Sequence, residues 1–242
     1  MNRSVSIAFR SYLAPLASTR AVRISLLVAL AFLGVVAVGV AARFIPRDAL
    51  VPIGQLVIMP GLPLFAIILS EMAIRDGITQ RTLLYPLLGP VSRPVLATVR
   101  TLATGLLLTL GILCLVIATR LLDPARFTIS VREVLTIVLA SFTYTALAGV
   151  VHLLTRRGLV TLLAILAVEL QIGRIPFGLR AVVPSFHVRV LADHLDTFSL
   201  PIPIDMPDPA VTDSLFYLIL VGIAATFAVA AVFANKNLGE LC

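Results

Sequence analysis

The chain has 242 residues, 60% of them hydrophobic and 13% charged, against about 25% charged in a soluble domain. That composition excludes a soluble globular protein. The net charge of +7, carried by 18 Arg and the single Lys236, is scattered in small groups between apolar segments, and so excludes a nucleic-acid-binding surface.

The predicted elements, in chain order, make an all-α polytopic membrane protein with one transmembrane domain over residues 1–242. In residues 1–20, Val5, Phe9, Tyr12, Leu13 and Leu16 recur at helical spacing, with Ser4, Ser6, Arg10 and Ser11 on the other side. This predicts an interfacial helix lying among lipid headgroups, with an unstructured tail as the alternative. Charge-free runs follow at 24–42, 49–70, 101–119, 134–155 and 214–235. Each is close to the roughly 20 residues a helix needs to cross a bilayer. A sixth run, between Arg157 and Arg174, is broken only by Glu169 and can span if that carboxylate sits near one end. A cleaved signal peptide is the rival reading of the first run, but that run exceeds the 7–15 residues of a usual signal core.

Six transmembrane helices with an inside N-terminus put a summed charge of +8 on one side and −1 on the other. This asymmetry predicts that both termini are cytoplasmic. Pro52, Pro60 and Pro63, with Gly54 and Gly61, predict a kinked second span. The third and fourth runs read as a hairpin turning at Asp123 and Pro124.

Two connections carry most of the functional information. The first, on the cytoplasmic side, has a charged section with Glu71, Arg75, Asp76 and Arg81, then Leu83, Leu84 and Tyr85, which predicts a short amphipathic helix. Pro86, Gly89, Pro90 and Pro94 should break it before the third span. Its segment 81–93, R-T-L-L-Y-P-L-L-G-P-V-S-R, resembles the cytoplasmic segment of ABC-2 type transporter permeases. The similarity runs through Thr82, Leu83, Leu84, Tyr85, Leu87 and Leu88 to Pro90, Val91, Ser92 and Arg93, with Glu71 and Asp76 at the family's acidic positions. It departs where many members place Gly before the Thr, since this chain has Arg81 there and Gly77 four residues earlier.

The resemblance implies that residues 71–93 form a cytoplasmic coupling helix docking on a separate ABC ATPase subunit. ATP and Mg would bind that partner, with no cofactor in this chain. It further implies an exporter subunit in the plasma (inner) membrane, acting as a homodimer whose two copies form the transport path. The alternative for Arg81 and Arg93 is that they only anchor topology. For the whole chain, the alternative is a non-transporting membrane scaffold or assembly protein that binds a cytoplasmic partner.

The second connection, 171–213, carries Pro176, Pro184, Pro201, Pro203, Pro207 and Pro209. In the family this position often holds short re-entrant helices. Residues 175–183 are apolar enough to dip into the membrane, and 184–195 resemble a family segment nearby; an ordinary surface loop is the alternative. Glu169 is the one acid inside a predicted span. Its position favours a shallow site near the outer end; if it faces the interior instead, Arg174 or Arg180 would be its partner and Glu169 and Arg174 would lie on the transport path.

The residue inventory argues against catalysis by this chain. Lys236 follows Ala234 and Asn235 rather than a glycine-rich loop, so no phosphate-binding loop exists in the sequence. His152, His187 and His194 contain no pair four apart, which removes a helical zinc motif, and no metal site is expected. No G-x-S occurs, and no run holds two aspartates.

Overall fold

The computed structural model describes residues 20–46, 49–76, 92–122, 128–155, 157–172, 178–192 and 210–235. The predicted interfacial helix 1–20, apart from Arg20, lies outside the described residues, as does 77–91 of the coupling segment. Among the described residues the secondary structure is entirely helical. Helix α1 covers Arg20–Ala41. Helix α2 runs through Leu50–Leu56, a π-helical turn Val57–Gly61, Leu62–Ser70 and a second π-helical turn Glu71–Asp76. Then come α3 (Arg93–Leu121), α4 (Val131–Leu154), α5 (Gly158–Ile172), a 3-10 turn Gly178–Val182, α6 (Pro184–Ala192) and α7 (Val211–Asn235).

Local chemistry sets the boundaries. Pro60 sits inside the first π turn, where its missing N–H leaves the ladder one bond short and the wider turn absorbs the ring. A Cβ on Gly61 would stand 3.3 Å from the Leu56 carbonyl oxygen, so a small residue follows the proline. Pro94 does not break the chain ahead of a span starting at 101. Ser92 is extended (φ −66°, ψ 147°), and the proline sits in the first turn of α3, where it needs no donor. Ser130 caps α4 by accepting from the Glu133 N–H at 3.0 Å, the first half of a capping box. Within the apolar helices Thr98, Thr101, Thr109, Thr136 and Thr226 donate to carbonyls four residues back, which satisfies their hydroxyls without water.

Among the described residues four helices are long and apolar enough to cross a membrane: α2 over Ile53–Ala73, then α3, α4 and α7. The chain is therefore a membrane-embedded helical protein. The expected six spans are met only in part, because the apolar sections of α1 (Ser25–Ala41) and α5 (Gly158–Ile172) are shorter.

Helix α4 is the hub, packed by α7, α3 and α2 and, more lightly, by α5 and α6. The registers fix directions. Arg120 meets Glu133 and Gly105 meets Phe142, so α3 is antiparallel to α4. Thr143 donates to the Leu218 carbonyl at 3.0 Å while Leu153 shares a cluster with Val229 and Phe233, so α7 runs parallel to α4.

Helix α5 is antiparallel to α4 and stops partway. Gly158 lies against His152, Leu162 and Leu166 pack with Ala148, and Glu169 meets Tyr144. Tyr144 is ~20 Å from Val131 and ~15 Å from Leu154 along the axis, near mid-height of α4. The remaining height is taken by α6, whose first turn meets Glu169 and whose Val190 and Leu191 carbonyls accept from Arg132 in the first turn of α4. Helices of 15 and 9 residues, about 22 Å and 13 Å long, thus share the depth that α4 covers alone with 24.

Candidate functional site at the α5–α6 junction

The junction is built around Glu169, 9% exposed, three residues before α5 ends. Its Oε1 accepts from the Tyr144 hydroxyl at 2.7 Å and from the Ser185 backbone N–H at 2.8 Å. The second bond comes from the first turn of α6, where backbone donors lack intrahelical partners and favour negative charge. Arg189, buried on α6, lies within Coulombic reach of the carboxylate. A carboxylate at mid-height costs several kcal/mol in hydrocarbon unless it is paired and hydrogen-bonded, and this set supplies both.

This geometry buries Glu169 inside the bundle, at mid-height of α4. Among the described residues, those found around its carboxylate are Tyr144, Ser185 and Arg189. Arg180 sits with its guanidinium carbon 4.9 Å from the centre of the Phe186 ring, and Arg174 lies outside the described residues.

A second polar group holds the other face of α6. His187 Nε2 is 2.8 Å from the Ala181 carbonyl oxygen, which can only accept, so Nε2 carries the proton. Its Nδ1 then accepts from the Ser214 hydroxyl at 3.0 Å. The imidazole stacks on Tyr217 at 3.9 Å between centroids, and the Tyr217 hydroxyl donates to the Val182 carbonyl. Ser214 and Tyr217 belong to α7, so α6 and its preceding turn are fastened to α7 on one side and to α4 on the other.

Beside the junction is a cavity of about 540 Å³ between α2, α4 and α5. Tyr144, Glu169 and Pro184 reach its wall, and most of the rest is apolar.

The predicted coupling residues divide into described and undescribed. Glu71, Arg75 and Asp76 lie on the last turn of α2, and the Glu71 carboxylate turns inward, 4.0 Å from His152 Nδ1. Ser92 and Arg93 are exposed at the start of α3. Arg81, Thr82, Leu83, Leu84, Tyr85, Pro90 and Val91 lie outside the described residues. Sequence reasoning singled out Glu169 but missed Tyr144, Ser185 and Arg189. A tyrosine in the middle of a charge-free run was the one available signal, since a buried hydroxyl needs a partner.

Helices of this length and composition around a buried polar junction define a membrane-embedded all-helical protein. Comparison of the chain with protein families, with curated proteins and with solved structures gave no match.

Proposed function

We propose that the chain is the membrane-spanning permease subunit of an ABC-2 type exporter, coupled through residues 71–93 to a separate ATPase subunit and working as a dimer. The observation that supports this best is the tie between the end of α2, where the predicted coupling segment begins, and its neighbours. Arg100 of α3 donates to the Ala73 carbonyl at 2.9 Å, Ser70 donates to the Thr145 carbonyl at 3.2 Å, and His152 Nε2 donates to the Ile67 carbonyl at 3.2 Å. A push on 71–93 therefore passes to α2 and α3 together and through them to α4. In this reading ATP draws two motor subunits together, and the segment acts as a lever. The spans then tilt to open a path on which Glu169 lies, in a plasma (inner) membrane with both termini cytoplasmic.

The exposed apolar side chains of α1 and α7, among them Val35, Val38, Leu220 and Phe227, leave surface for lipid and for a second copy. The test is to purify the tagged chain in mild detergent and identify what comes with it, for wild type and for Arg81→Glu with Tyr85→Ala. A P-loop ATPase that accompanies wild type and is lost or uncoupled in the variant is the expected result. If no ATPase binds the folded chain, the scaffold reading takes its place.

A further inference from the structure

We infer that the cavity beside the α5–α6 junction is a binding site for an organic cation with an apolar body, of the hydrophobic amine or quaternary onium class. Its volume, about 540 Å³, falls among sites that hold drug-sized ligands, roughly 300–1,000 Å³. The wall is apolar where Ile67, Leu147 and Ile165 face it, and it meets polar groups at Tyr144 and Glu169. Glu169 is the only carboxylate on that wall among the described residues, and neither Lys nor Arg lines it. Arg189 acts on the carboxylate from α6 without reaching the cavity, and both hydrogen bonds of Glu169 fall on Oε1. The wall therefore offers one acid and no basic side chain. No basic side chain on the wall would hold an anion, whereas a cation with an apolar body can pair with the Glu169 carboxylate and pack on the wall. Val168 and Ile165, 56% and 47% exposed, stand at the rim, so the opening is sideways between α4 and α5, from where a molecule dissolved in the membrane can enter.

This goes beyond the permease reading and does not depend on it, because binding is a property of the chain alone. The full chain is placed in nanodiscs of zwitterionic lipid and titrated with radiolabelled tetraphenylphosphonium and with tetraphenylborate, an ion of the same shape and opposite charge. Expected are saturable binding of the phosphonium, none of the borate, and phosphonium affinity at least ~10-fold weaker in Glu169→Gln, which keeps an oxygen for Tyr144 and Ser185. A second variant, Ala164→Phe, adds a ring at the exposed edge of the cavity lining with the carboxylate intact and should also weaken binding; it decides the matter if Glu169→Gln does not fold. The inference is overturned by absence of saturable phosphonium binding to wild type, by unchanged affinity in either variant, or by equal binding of the borate, which would mark a plain apolar cleft filled by lipid. Loss of ATPase partnership with phosphonium binding retained would sink only the permease reading.

Discussion

The Tyr144 hydroxyl donates to Glu169 Oε1 over 2.7 Å at mid-height of α4, and this one bond locks the end of α5 to the hub of the bundle. Replacing the tyrosine by phenylalanine keeps the ring and removes the donor. Hydrogen bonds to charged groups contribute about 1.5–3 kcal/mol, and Tyr144→Phe should destabilise the protein by that order. Glu169→Leu, which removes the acceptor, combined with Tyr144→Phe should cost less than the two single changes added, because both remove the same bond. Thermal unfolding of the purified chain in detergent measures all three; strict additivity would show that the pair is not coupled.

Arg120 and Glu133 form an ion pair at 3.2 Å with side chains 9% and 11% exposed, joining α3 to α4 near the Arg132 anchor of α6. Removing one partner strands the other charge away from water. Glu133→Ala should therefore cost about 3–5 kcal/mol and lower the yield of folded protein. Arg120→Met with Glu133→Gln should recover most of that loss, which size-exclusion profiles and melting temperatures would reveal.

Two glycines in helices should behave oppositely on conversion to alanine. A Cβ at Gly158 would lie 2.2 Å from His152 Nδ1 and 3.1 Å from the His152 Cα, so the start of α5 must move away from α4. Gly158→Ala should cost on the order of 1–3 kcal/mol, as overpacking of a buried contact does. Nothing lies within 4 Å of a Cβ at Gly111 in α3, and Gly111→Ala should stabilise by roughly 0.5–1 kcal/mol through helix propensity. Paired denaturation curves check the contrast.

Orientation can be read by chemical labelling. With Cys114 and Cys242 replaced by serine, a cysteine at Arg93 or at Arg157, both exposed, should react with a membrane-impermeant maleimide only in inverted vesicles. One at Val131, 77% exposed at the opposite end of α4, should react in intact cells. The reverse pattern would overturn cytoplasmic placement of the coupling segment.

The runs of charge-free residues determined by themselves that the chain is helical and membrane-embedded, because backbone in hydrocarbon must satisfy its own hydrogen bonds and length sets what can cross. Pro60 marked the irregular turn in α2, and the run holding Glu169 was visibly flawed. How that flaw is resolved depended on distance in space. The carboxylate needs a hydroxyl from α4, a backbone donor from α6 and a charge from Arg189, which lie 25, 16 and 20 positions away along the chain. No local pattern encodes such partners, since periodicity reports only which face of a helix is apolar. The tertiary structure alone decided that α5 stops at mid-height, that α6 completes the depth, and that the acid taken for a shallow anchor sits on the wall of a cavity.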